Sequence, residues 1–228
     1  MPRNTLTSDQ IVRAAIELLD AEGLDGLNMR ALGARLDSAA TAVYWHVKSK
    51  DNLVRLAGDR VWGEIKLPDV DENNWRPAAL ALANSLHAML TDHAWLGPAF
   101  GSYLFYGPGK ARFDDRSLAV FEAAGFTPDE ADQAAGTVML FVLASSLSTS
   151  MELSLTRRIS RAGGDPTEQM RETIAKQSEI AMDYPYLRAR LDSTAATDYT
   201  AAPDNSFNFG LESILDGFEA RLKAKGRG

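Results

Sequence analysis

The chain has 228 residues, 45% of them hydrophobic, with no cysteine and a formal net charge of -7. That length suits one small lobe beside one larger one, and the lack of cysteine excludes a disulfide framework and a thiolate metal site. A membrane role is excluded as well, because no run of about 18 apolar residues exists and Met1-Pro2-Arg3-Asn4-Thr5 has no apolar signal core, so the cytoplasm is the expected location.

The charge is unevenly placed. Residues 1–60 hold eight Lys and Arg against eight Asp and Glu, which leaves the whole of the -7 on residues 61–228. An acidic body argues against adhesion to nucleic acid over the whole surface, so any DNA contact has to be a local cationic face.

In chain order, Thr7 with Gln10 three residues later is a capping-box pair, and the helix it opens repeats Ile11, Ala15 and Leu18 before Gly23 ends it. Asn28 is placed to cap a second helix that carries Arg30 in its first turn. In that helix Leu32 and Leu36 lie four apart, and after a break at Asp37-Ser38 so do Val43 and Val47, giving two short helices with one shared apolar side. Asp37 can take the left-handed conformation that such a corner needs, and Ser38 is expected to cap the helix that follows. Ala40 and Thr41 begin that second segment; Thr41, Tyr44, Trp45 and His46 fall on its outward side, and Lys48 and Lys50 on its end. Taken singly these aromatics could half-pack on the next helix. Together they suit base edges and phosphates. Ser49 opens a fourth helix through Leu53 toward Glu64, and Pro68 with Asp69, Asp71, Glu72, Asn73 and Asn74 is the polar break that marks a boundary.

The body reads as all helix. Trp75–Thr91 has apolar residues at helical spacing, Phe100–Tyr106 is a short aromatic segment, Gly107-Pro108-Gly109 reads as a loop, and Arg112–Ala124 is helical. Thr127-Pro128-Asp129-Glu130 starts a long helix reaching at least Arg157, with small residues interleaved among Val138, Met139, Phe141 and Val142. Gly163-Gly164 breaks the pattern, Asp165-Pro166 restarts a polar helix to about Ala181, and residues 184–203 have mixed composition that suggests partial disorder. The last helix, over residues 205–223, repeats Phe207, Leu211, Ile214, Leu215, Phe218 and Leu222. Its stripe and the small-and-large face of the long helix fit either an internal core or a four-helix dimer interface. The aromatic segment, with Phe100, Tyr103 and Leu104, together with Leu86, Phe113, Ser117, Met139 and Val142, fits either core or a ligand pocket.

Enzyme chemistry has no support. His87 and His93 are six apart and form no metal-ligand pair, and no nucleophile elbow or phosphate-binding glycine loop is present, so no cofactor is expected.

Residues from Leu6 to about Glu64, and most specifically the run Tyr44-Trp45-His46-Val47-Lys48-Ser49-Lys50 with Leu53, resemble the DNA-binding domain of the TetR family of bacterial transcriptional repressors. The resemblance implies an all-α protein: a three-helix helix-turn-helix domain over residues 1–66 and a helical effector-binding and dimerisation domain over residues 67–228. It implies that Tyr44 and His46 contact phosphate or base, that Lys50 anchors phosphate, and that Arg30 reaches a base or the backbone. With Ala40 and Ala42 offering only methyl contacts, Thr41 and Arg30 carry more of the readout. The implied partners are a palindromic DNA operator, a second copy joined through residues 128–157 and 205–223, and a small hydrophobic or aromatic effector held among Leu86, Phe100, Tyr103, Leu104, Phe113, Ser117, Met139 and Val142. The magnesium-tetracycline chemistry known in the family does not carry over, because the positions that would supply His and Glu read Lys66, Phe100 and Ser148. The rival reading is a helical small-molecule carrier or sensor that does not bind DNA.

Overall fold

A computed structural model describes residues 6–70, 74–191 and 206–226, the side chains at 148, 149 and 152 excepted. Among these residues it contains eleven helices and no strand. They are α1 (Ser8–Gly26), α2 (Met29–Arg35), α3 (Ala40–Val47), α4 (Lys50–Glu64), α5 (Trp75–Asp92), α6 (Leu96–Ala99), α7 (Pro108–Ala123), α8 (Pro128–Arg161), α9 (Pro166–Ala181), α10 (Pro185–Leu191) and α11 (Ser206–Lys225). No helix among the described residues is long and apolar enough to cross a membrane.

The chain forms two compact units, residues 1–151 with 211–228 and residues 152–210. In the first unit α1 to α4 wrap one apolar centre. Thr7 and Gln10 complete the capping box, with the Thr7 amide donating to Gln10 Oε1 at 2.9 Å and the Gln10 amide to Thr7 Oγ1 at 3.2 Å. Ile11, Ala15 and Leu18 of α1 are buried, as are Leu32, Val43, Val47 and Leu53 on the three helices that α1 packs against. Gly23 breaks α1 at φ 71°, where a side chain would be strained.

The second half of this unit packs α5, α7, the first part of α8 and the end of α11. Arg76 near the start of α5 meets Glu212, and also Asp216 at 2.7 Å, both on α11. Phe121, Phe126 and Phe218 form an edge-on trio with ring centroids 5.7 to 6.3 Å apart, and Lys225 pairs with Glu130 at the start of α8. Thr127 begins α8 as expected, its amide donating to Glu130 at 2.9 Å.

Two local expectations need correction. Gly107-Pro108-Gly109 is not a loop ahead of a helix at Arg112: α7 begins at Pro108, because proline presets the first helical turn and the amides of Gly109 and Lys110 are capped from α4 by Asp59. Ser38 does not cap α3; its hydroxyl donates back to the Leu36 carbonyl at 3.2 Å, and Ala39 stands at the cap without a side-chain bond.

In the second unit α9 is capped by Asp165, which accepts from the Thr167 amide at 2.9 Å, and Gly163 turns the chain at φ 78°. Ile159 and Ala181 are buried there, while Ile180, Met182, Tyr184 and Tyr186 are exposed. Of the stretch read as partly disordered, 185–191 form α10, and 192–203 lie outside the described residues.

Candidate functional site

The corner between α2 and α3 depends on one close approach. A Cβ on Gly33 would lie 2.6 Å from the Ser38 carbonyl oxygen and 3.2 Å from the Ala40 nitrogen, so only glycine lets α3 begin against α2. The Ser38 amide donates to the Gly33 carbonyl at 2.9 Å, and Asp37 makes the turn at φ 47°. Asn28 caps α2 by accepting from the Ala31 amide at 2.9 Å. These bonds fix the rotation of α3, with Val43 and Val47 at 0% exposure beneath it.

That rotation sends the other side of α3 outward. Tyr44 is 56% and Trp45 78% exposed, and Thr41 and His46 are exposed beside them, with Ala40 half-buried at the start of the helix. Lys48 closes α3 in the left-handed region at φ 66°, and its Nζ stands 4.6 Å from the centroid of the Trp45 ring. Arg30 is exposed in the first turn of α2. The structure therefore brings Arg30, Thr41, Tyr44, Trp45, His46 and Lys48 to the surface of two consecutive helices. Lys50 goes elsewhere: it is half-buried, and its Nζ donates to the Leu24 carbonyl at 2.7 Å, tying the start of α4 to the end of α1. The start of α4 is held open for an anion only in part, since Ser49 accepts from the Asn52 amide at 3.0 Å.

The body holds a small apolar cavity of about 20 Å³ between α5, α7 and α8. Leu86, Phe113, Ser117 and Met139 line it, with Ala79, Leu82, Ala83, Phe121, Ala135 and Val138. Phe100, Tyr103, Leu104 and Val142 are not part of the wall. Phe100 packs edge-on against Trp62 at 6.3 Å and Phe105 at 5.1 Å; Leu104 is 83% exposed; Val142 is fully buried. Tyr103 is hydrogen-bonded to Asp51 on α4, and burial together with that carboxylate raises its hydroxyl above the usual range. Among the described residues the one polar lining group, Ser117, donates its hydroxyl to the Phe113 carbonyl at 2.9 Å, so that wall offers almost pure hydrocarbon. Among the described residues no group of three or more His, Asp or Glu could hold a metal ion.

Three further joints tie α1–α4 to the body. Asp20 on α1 meets the His93 ring at 2.8 Å and accepts from Trp95 Nε1 at 2.9 Å. Asp59 on α4 caps α7, and Arg112 on α7 donates to the Gly63 and Ile65 carbonyls at 2.7 and 2.8 Å, at the end of α4. Sequence reasoning missed Gly33, Asp59 and Arg112. A glycine in the middle of a seven-residue apolar pattern was the one available signal for the first; the other two are joined only by the fold.

A short buried scaffold that holds a two-helix corner outward, on a helical body with its own hollow, defines a helix-turn-helix transcriptional regulator of the ligand-responsive kind. The family described as bacterial regulatory proteins, tetR family, matches residues 11–57, and the one described as tetracyclin repressor-like, C-terminal domain, matches residues 67–222. The chain belongs to the TetR family. It is 30% identical to the transcriptional repressor DrrR1 of Streptomyces coeruleorubidus over 100% of this chain and 82% of that one. It is 38% identical to a helix-turn-helix transcriptional regulator of Saccharopolyspora erythraea over 61% of this chain, a match that spans 59% of that relative. Among solved structures, ActR of Streptomyces coelicolor in complex with actinorhodin superposes with a TM-score of 0.75 at 27% identity, covering 96% of this chain and 97% of that one.

Proposed function

We propose that the chain is a homodimeric repressor, with residues 1–66 as its DNA-binding domain and residues 67–228 as its effector-binding and dimerisation domain, acting in the cytoplasm on a palindromic operator. The observation that carries this reading is the outward side of α3, where Tyr44, Trp45 and His46 are exposed while Val43 and Val47 beneath them are sealed. In this reading Thr41, Tyr44, Trp45 and His46 address the major groove from α3, Ala40 and Ala42 offer methyl contacts to thymine, and Arg30 and Lys48 neutralise phosphates at its rims. Lys50, bonded to the Leu24 carbonyl, ties the start of α4 to the end of α1.

A symmetric operator needs two copies, and surface for the second copy is available. On α8 the exposed positions Gly136, Leu140, Ala144, Leu147 and Met151 recur at helical spacing, and on α11 Ser213, Gly217, Ala220 and Ala224 do the same. Leu140 and Met151 are each 68% exposed, and small residues between them would let two helix pairs approach closely. Such a pair presents its recognition helices about 34–36 Å apart, one turn of duplex.

The effector belongs at the hollow between α5, α7 and α8, whose apolar and aromatic wall suits a small hydrophobic or aromatic molecule; actinorhodin, the ligand of the similar ActR, is the first compound to try. By linkage, an effector that weakens operator binding is itself weakened by the operator to the same factor. The deciding experiment selects a duplex from a random library with the full chain and measures its affinity by fluorescence anisotropy at several salt concentrations. A palindromic selected site, two chains per duplex and a steep loss of affinity with salt support the reading; failure to enrich any duplex rejects it in favour of a carrier.

A further inference from the structure

We propose that Asp59 and Arg112 form a reciprocal clasp that makes α4 follow α7, so that a change at the cavity reaches the recognition helix through these two positioning residues; this rests on the reading of the cavity as the effector site. Two helix ends meet here, and each is completed by a side chain of the other helix. The start of α7 has no cap of its own, since Gly107 precedes it. Asp59 supplies the cap from α4, its Oδ1 accepting from the amides of Gly109 at 2.9 Å and Lys110 at 3.2 Å. In return Arg112 gives the end of α4 two hydrogen bonds, to Gly63 and Ile65. The signs are right at both ends, an anion on the positive start of one helix and a cation on the negative end of the other.

The approach is too close for any side chain but hydrogen. A Cβ on Gly107 would lie 2.4 Å from Asp59 Cγ, and one on Gly109 would lie 2.1 Å from the Asp59 carbonyl oxygen and 2.7 Å from the Gly63 nitrogen. Apolar surfaces can slide over one another, whereas directional bonds at two helix ends fix both translation and rotation. The clasp is also next to the cavity along the chain: Arg112 precedes Phe113, and Phe113, Ser117 and Phe121 of the same helix line the hollow. At its other end α4 follows α3 after Lys48 and Ser49.

The test needs no effector. Ala83→Leu overfills the cavity and forces α7 outward as a ligand would. Operator affinity is measured for this substitution in the wild-type, Asp59→Ala, Arg112→Ala and Asp59→Asn backgrounds, on the duplex selected above. The clasp predicts a tenfold or greater loss in the wild type, a loss of less than about threefold in the two alanine backgrounds, and a near-wild-type loss in Asp59→Asn, which keeps an acceptor for the amides. Equal losses in all four backgrounds overturn the clasp while leaving the cavity reading intact. No loss in the wild type overturns the cavity reading and the clasp with it. If Ala83→Leu does not fold, Ala135→Leu replaces it from the α8 wall.

Discussion

The imidazole of His93 and the carboxylate of Asp20 meet at 2.8 Å, joining the end of α5 to the middle of α1. Burial works against a charged ring there, but the hydrogen bond to Asp20 and the fields of Asp20, Glu64 and Asp92 overcome it, and the His93 value is raised above 6.5. A raised value in the folded state means stability that is complete below the ordinary imidazole range and lost as pH climbs through the folded value. Melting temperatures of wild type and Asp20→Asn therefore differ most at about pH 5.5 and converge toward about pH 8.5. Asparagine still offers an oxygen to Trp95, so the change removes the carboxylate's charge while keeping an acceptor. A gap that stays constant with pH would show that His93 does not titrate in this way.

Lys48 and Lys50 separate by function. Lys48 is exposed beside Trp45, so Lys48→Ala should lower the slope of log affinity against log salt by about 1. Lys50 is bonded to the Leu24 carbonyl, so Lys50→Ala should leave that slope unchanged and lower stability by about 1 kcal/mol. Salt titrations of operator affinity, with denaturant melts of both variants, decide the matter; a reduced slope for Lys50→Ala would return that residue to the phosphates.

Trp45→Ala should cost operator binding about 1–3 kcal/mol and change folding stability by no more than about 0.5 kcal/mol, because the side chain is 78% exposed. Anisotropy and thermal melting measure the two effects. A large drop in melting temperature would mean that the indole is structural.

The corner tolerates glycine unevenly. Gly33→Ala should destabilise the chain by about 1–3 kcal/mol, since the new methyl meets the Ser38 backbone at 2.6 Å. Asp37→Gly should stabilise it by about 1 kcal/mol, because Asp37 turns at φ 47°. Urea unfolding of the two variants gives opposite shifts of midpoint; shifts of the same sign would contradict the corner geometry.

Ala39 occupies the cap of α3 with extended backbone and no side-chain bond. Ala39→Ser should supply the missing acceptor and add about 1 kcal/mol. Slower hydrogen exchange at the first amides of α3 is the direct readout, and unchanged exchange would show that solvent caps that turn just as well.

Where an element is defined by its own neighbours, the sequence makes it plain. Thr7 with Gln10, Asn28 and Ser49 each cap the helix they precede, and Val43 and Val47 fix which side of α3 is buried. The reading fails where the deciding partner is remote. Gly107, Pro108 and Gly109 look like breakers until Asp59, some 50 residues earlier, caps the amides of Gly109 and Lys110. Lys50 reads as a surface cation because nothing local reveals the Leu24 carbonyl, 26 residues away. The residues of 100–106 fit core or pocket by composition and go to the cavity only by the family resemblance, yet Phe100 turns to Trp62 and Leu104 to solvent, a choice made by rotation of the segment that composition does not encode.

A hollow of about 20 Å³ has room for about one water molecule. On the proposed reading, a drug-sized guest would have to act as a wedge, shouldering α5, α7 and α8 apart before it is seated.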